Sequence, residues 1–170
     1  HEAIGEGRVA AEAIAGRPAA WDVRAVPAVV YTRPQIAWCG LTETEAARDE
    51  RKVATSDFPW AASGRALAMD SAQGLTKLVL DPKDGRVLGM GAVGGGAEGL
   101  VAEAAFAIEM GAVAEDLALT IHPHPTLSET IGEAAQRFLG QATHLPPRRR
   151  TARLLSAGRR RADGAAVLGP

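Results

Sequence analysis

One short segment limits the fold more than any other: Asp81-Pro82-Lys83-Asp84-Gly85, set between the apolar runs at residues 75–80 and 86–93. Pro82 presets its own φ for a turn, and Gly85 accepts the positive φ that a hairpin needs. The two runs therefore pair as neighbouring antiparallel strands, because a parallel pair requires a long crossover between them.

The rest of the pattern builds on that pair. Residues 28–32, Ala-Val-Val-Tyr-Thr, form a β-branched and aromatic run ended by Arg33-Pro34, and residues 53–58 read as a further strand. Residues 1–16 read as a helix with Ile4, Val9, Ala10 and Ile14 along one face, stopped by Gly16 and Pro18. Residues 17–26 read as a surface connection. Thr42 with Glu45 three residues later is a capping box, which opens a helix through about Arg51. A loop holds Ser63-Gly64-Arg65. Residues 98–110 carry Leu100, Val101, Ala104, Ala105 and Ile108 on an inner face, with Gly111 as the stop. Residues 114–119 give a short helical turn, and a last helix runs from Leu127 to Leu139, ending at Gly140. Strands that share a hairpin and run on into helices predict an α+β fold: an antiparallel sheet with flanking helices.

Composition bounds the function. The 170 residues are 46% hydrophobic, enough for one domain with a proper core but too short for a typical two-domain cofactor enzyme. No run of 18 apolar residues is present, so no segment reads as a membrane span. Cys39 stands alone, which excludes an internal disulfide, a CxxC pair and a cysteine zinc site. The net charge of −1 hides a split: residues 1–146 carry −7, whereas residues 147–170 carry seven arginines against Asp163. That basic stretch has few large apolar residues and reads as a disordered, solvated tail. Its arginine triplets lack interleaved aromatics and an adjacent folded reader, so nucleic acid and lipid are not the expected partners. With His1 first and no targeting segment, the chain reads as a piece of something longer.

Three constellations could carry chemistry. Gly89-Met90-Gly91-Ala92-Val93-Gly94 fits GxGxxG, but a dinucleotide fold needs a parallel strand after the next helix, and here a helical turn and His-Pro-His-Pro follow. The glycines read instead as a strand end that lets the helix pack close to the sheet. His122 and His124 form an HxH pair without an evident third ligand, so no metal is expected. The third is His124-Pro125-Thr126-Leu127-Ser128-Glu129. Thr126 as N-cap and Glu129 three residues on make a capping box, which by itself accounts for Glu129. The sharper reading adds His124, held just outside the helix by Pro125, where the first-turn carboxylate can reach back to it. Such a pair orients the imidazole, fixes its tautomer and raises its basicity. A base of pKa about 6.5 or slightly above suits a thiol of pKa about 8.5.

Residues 120–129, Thr-Ile-His-Pro-His-Pro-Thr-Leu-Ser-Glu, resemble the C-terminal signature of the dihydrolipoyl dehydrogenase family. So do residues 27–31, Ile36-Ala37-Trp38-Cys39-Gly40-Leu41-Thr42, residues 58–66 beginning Phe-Pro-Trp, and Ala107-Ile108-Glu109-Met110-Gly111. The likeness runs from about residue 8 to residue 145. The histidine signature is shared with other flavin disulfide reductases such as glutathione reductase, while the Phe-Pro-Trp and Ile-Glu-Met-Gly runs favour the lipoamide enzymes.

The resemblance implies a flavoprotein that oxidises dihydrolipoamide with NAD through FAD and a redox disulfide. It divides the chain into a remnant of an upstream FAD/NAD-binding region at 1–26, a dimerisation domain at 27–145 and the tail at 146–170. His124 then becomes the acid–base residue, acting on the partner subunit's disulfide, with Glu129 as its carboxylate. The carbonyl of His124, in a His124–Pro125 peptide that is usually cis, would lie against the partner's flavin, and His1 aligns with a further flavin contact. Pro123 departs from the family, which usually has Ala there. The implied setting is a homodimer serving lipoyl domains of 2-oxo acid dehydrogenase or glycine cleavage complexes. Its location would be the bacterial cytoplasm or, in a eukaryote, the mitochondrial matrix. The flavin and nucleotide fingerprints and the CxxxxC pair are absent from these residues, so the chain alone is expected to be inactive. Two alternatives stand beside this: a non-enzymatic dimerisation module or decayed reading frame, and a reductase of glutathione type.

Overall fold

A computed structural model describes residues 1–145. Five strands, β1 (Ala28–Val30), β2 (Gln35–Gly40), β3 (Ala54–Pro59), β4 (Leu75–Leu80) and β5 (Val87–Gly94), form one sheet in the order β1-β2-β5-β4-β3. Every neighbouring pair is antiparallel. The hairpin joining β4 and β5 closes as its residues dictate. Asp81 accepts the Gly85 N–H through its carbonyl and the Lys83 N–H through Oδ1, both at 2.9 Å, and Gly85 has a φ of +75°. The β4–β5 register slips between Val79 and Leu80, leaving Leu88 as the extra residue of a bulge. The freed carbonyl of Leu88 accepts the Leu41 N–H at 2.8 Å.

Helices α1 (Glu2–Ile14), α2 (Glu43–Arg48), α3 (Gly64–Ala68), α4 (Val101–Glu109), α5 (Ala114–Leu119) and α6 (Glu129–Leu139) complete the fold. α4 lies over β2 and β5, α6 lies over β3 and β4, and α5 packs on α6. The core sits between: Ala37, Cys39, Leu78, Met90 and Ala92 of the sheet, with Val101, Ala104 and Ile108 of α4 and Ile131, Ala134 and Ala135 of α6. Leu78 and Ile131 are fully buried, and burial of such a side chain contributes about 1.5–3 kcal/mol. Arg137 of α6 fastens that helix to β3 through the carbonyl and carboxylate of Asp57. Residues 17–26, irregular as expected, are tied to α4 where Glu109 Oε1 accepts the N–H groups of Arg24 and Ala25.

Several local expectations need correction. β2 was not expected, because its small residues Ala37 and Cys39 are buried while Ile36 and Trp38 face outward, the reverse of the usual strand pattern. The residues Ser63-Gly64-Arg65 do not form a loop: the Ser63 hydroxyl accepts the Ala66 N–H at 3.3 Å and starts α3. The last helix begins at Glu129 rather than Leu127, since Pro123 to Ser128 make an irregular approach. Finally, none of the residues of α1 is buried, and Ile4 and Ile14 are exposed. The basic stretch from residue 146 onward lies outside the described residues.

Candidate active site

The site is built at the start of α6, and a buried polar chain holds that start in place. The Trp60 Nε1–H donates to Thr76 Oγ1 at 2.9 Å, Thr76 and Thr130 share a hydrogen bond of 2.8 Å, and Thr130 Oγ1 donates to the Leu127 carbonyl at 2.6 Å. An indole N–H only donates, so the hydrogens run one way, from Trp60 through both hydroxyls to Leu127. Trp60, Thr76 and Thr130 are all fully buried. Thr130 is thereby fixed in the core, and the adjacent Glu129 is presented at the surface of the first turn.

Glu129 uses both carboxylate oxygens. Oε2 accepts the Thr126 N–H at 2.7 Å, and Oε1 lies 2.8 Å from Nδ1 of His124. The expected capping box is therefore half formed. Glu129 does reach back to Thr126, but the Thr126 hydroxyl donates to the Pro123 carbonyl at 2.7 Å instead of capping the helix. Burial acts to raise the Glu129 pKa, yet the Thr126 N–H and the His124 ring together outweigh it and hold the carboxyl below its ordinary value. An ionised carboxylate accepts only, so the shared hydrogen sits on Nδ1 and leaves Nε2 as the free base. The His124 side chain is 77% exposed, so that base faces outward. Pro123 does not displace the pair, and the His124–Pro125 peptide is cis.

The other singled-out residues fall elsewhere. His122 and His124 do not converge: His122 Nε2 is 2.8 Å from Glu103 Oε1 on α4. His1 Nε2 lies 2.7 Å from the Pro27 carbonyl, beside a cleft of about 320 Å³ that includes Tyr31, Glu98 and Val101. The glycine motif fills the second part of β5 and runs to its end at Gly94, on a strand against which α4 packs. The tightest approaches to its glycines come from the Leu41 backbone and the Trp60 ring. A Cβ on Gly89 would stand 2.1 Å from the Leu41 carbonyl oxygen, and one on Gly94 would stand 2.1 Å from the Trp60 ring. Close packing accounts for both glycines. Cys39 is buried beneath α4, and burial pushes its thiol up to about 11.

Sequence reasoning missed the partner of His122, the Trp60–Thr76–Thr130 chain, and a third pair in which His144 Nδ1 meets Glu133 Oε1 at 2.5 Å. Glu129 and Glu133 share a face of α6 by their spacing, which was the one local signal available.

An antiparallel sheet flanked by helices thus carries an outward-facing histidine–carboxylate pair at one helix start. The model of the pyridine nucleotide-disulphide oxidoreductase dimerisation domain matches residues 26–135, and the chain belongs to that family. Among curated proteins it is 49% identical over 146 residues to a dihydrolipoyl dehydrogenase of Vibrio parahaemolyticus, covering 86% of this chain and 31% of that one. It is 51% identical over 144 residues to the dihydrolipoyl dehydrogenase of Haloferax volcanii, covering 85% of this chain and 30% of the relative. The chain thus spans about a third of the length of these relatives. Among solved structures, LpdA of Mycobacterium tuberculosis superposes with a TM-score of 0.72 at 29% identity, over 78% of this chain and 29% of that one. The flavoprotein disulfide reductase RclA of Escherichia coli shares the fold, with a TM-score of 0.69 at 24% identity over 76% of this chain and 30% of that one. Among the described residues, no helix is long and apolar enough to cross a membrane.

Proposed function

We propose that this chain is the C-terminal dimerisation domain of a dihydrolipoyl dehydrogenase, and that it lends His124 and Glu129 to an active site whose other half lies on the partner subunit. On this reading residues 1–26 are the end of an upstream FAD- and NAD-binding region and residues 27–145 are the interface domain. The assembly is a homodimer that works on lipoyl domains. The observation that carries the reading is the His124–Glu129 bond of 2.8 Å on an imidazole that is otherwise open to solvent. That exposure leaves the base open to a group from outside the described residues.

The chemistry follows from the tautomer. Nε2 takes the S–H proton of a dihydrolipoamide thiol, and the resulting thiolate attacks the redox disulfide of the other subunit. The positive charge formed on the ring is held by Glu129, which stays ionised because its pKa is lowered. The attack breaks the disulfide and releases one of its sulfurs as a thiolate, to which Nε2 passes the proton. Nε2 then takes the proton of the second thiol, whose sulfur displaces the other enzyme sulfur, so that lipoamide leaves as the disulfide and the enzyme pair is left reduced. FAD, bound mainly by the upstream region, supplies the route for electrons to NAD. The exposed turn at His124 and Pro125 leaves its backbone accessible to a flavin ring from another chain. His1 is also exposed, with Nδ1 as the ring nitrogen not engaged by Pro27. In the flavin-loaded dimer, His124→Gln lowers lipoamide turnover by about a hundredfold or more while flavin content and dimer formation stay intact. Near-normal turnover would remove the assignment.

A further inference from the structure

His122 lies two residues before His124, and the proposed chemistry does not use it. Its side chain is 9% exposed and its ring is seated between two helices. On one side Nε2 donates to Glu103 Oε1 of α4 at 2.8 Å. On the other the ring rests against α6 at Gly132, where an added Cβ would stand 3.3 Å from Nδ1 and 3.4 Å from Cε1. The same Cβ would lie 3.6 Å from the Leu117 carbonyl of α5, so α6 has little room at Gly132.

We propose that His122 is a positioning residue: its bond to Glu103 fastens the His-Pro-His-Pro segment to the helical layer and thereby sets where His124 meets Glu129. The inference rests on the acid–base reading of His124 given above. The segment has two attachments. Its far end is held by Thr126, which donates its N–H to Glu129 and its hydroxyl to the Pro123 carbonyl. Its near end is held by His122. Between them Pro123 and Pro125 fix φ, which leaves fewer backbone rotations to absorb a displacement at residue 122 before it reaches residue 124. Packing alone does not call for an imidazole here. Burying a polar ring costs free energy that an apolar side chain of similar volume would not, and the hydrogen bond to Glu103 offsets that cost while supplying direction. An exposed base that must meet a partner subunit's sulfur gains from such direction, since misplacement of about 1 Å can cost about a hundredfold in rate.

The test uses His122→Ala, His122→Gln, Glu103→Gln and Gly132→Ala in the flavin-loaded dimer, together with nitrogen-15 spectra of the His124 ring in the 170-residue chain. His122→Ala lowers kcat for the dithiol about 10–100-fold. Its KM stays within about twofold, because the substrate-binding surface is untouched. His122→Gln, whose amide can still donate to Glu103, recovers much of the loss. Gly132→Ala, which forces the ring to give by a few tenths of an ångström, lowers kcat without removing any polar group. In the spectra, His124 moves from the Nδ1–H form toward the mixture of a free imidazole in His122→Ala and stays put in His122→Gln. Unchanged kcat and unchanged His124 tautomer in a folded His122→Ala overturn the proposal. If His122→Ala does not fold, the same absence of effect in Glu103→Gln and Gly132→Ala overturns it. If instead His124→Gln retains turnover while His122→Ala still frees the His124 ring, the positioning role stands and the acid–base reading falls.

Discussion

Substituting Thr130 by Val removes one hydroxyl and keeps the side-chain shape, and its cost can be worked from the buried chain. The Thr130 hydroxyl accepts from Thr76 and donates to the Leu127 carbonyl. Leu127 does not lose its only partner, because the Thr130 N–H also donates to it at 3.0 Å. The group left stranded is the Thr76 O–H, in a site with no exposure to water. One buried, unsatisfied donor costs about 1–3 kcal/mol. For a chain of this size each kcal/mol moves the melting temperature by about 2–4 °C, so a mid-range cost gives a fall of about 4–8 °C in a thermal melt. The sharper assay is the double-mutant cycle. Thr76→Val strands the Trp60 N–H, and adding Thr130→Val to it strands nothing more. The second substitution is therefore nearly silent in the background of the first, giving a large coupling between the two sites. Additive costs, or an unchanged melting temperature for Thr130→Val alone, would refute the one-way chain.

Gly89→Ala strongly destabilises the fold, because its Cβ would overlap the Leu41 carbonyl, whereas Gly91→Ala is tolerated in open space; paired thermal melts read the contrast. Because contacts in the folded chain lower the Glu129 pKa, they stabilise the fold fully above the unfolded value of about 4.3 and are lost as pH falls through the lower native value. The gap in melting temperature between the parent and Glu129→Gln is therefore largest above about pH 4.3 and shrinks below it; a gap that grows on acidification contradicts the assigned direction.

What the sequence made legible was local. The β4–β5 hairpin, the Thr42–Glu45 box, α5 and the body of α4 are each specified by residues a few positions apart, and each formed where its pattern lay. The Thr42 box is complete, with Glu45 accepting the Thr42 N–H at 2.9 Å. β2 escaped because burial there selects small side chains: Ala37 and Cys39 lie under α4, where larger residues would not fit between sheet and helix. α3 escaped because its five residues open with a glycine and depend on Ser63 as a cap. The same division runs through the site. His124 and Glu129 are five residues apart and could be paired from the sequence. His122 meets a carboxylate 19 residues away, and Thr76 meets Thr130 across 54 residues, so only the packed sheet and helices bring them together. The apolar side chains on α1 were correctly placed on a helix, yet Ile4 and Ile14 lie exposed among the described residues.

The central claim is that His124 serves the disulfide of the other subunit, and subunit mixing tests it directly. One subunit carries His124→Gln with an intact redox disulfide; the other keeps His124 but lacks the disulfide cysteines. Each homodimer is inactive. In the purified mixed dimer, the intact disulfide faces the intact His124 of its neighbour, so one of the two sites works and lipoamide turnover returns to about half the parent value per dimer. If His124 acted within its own subunit, both sites would be broken and the mixed dimer would stay as inactive as its parents. That result would contradict the account.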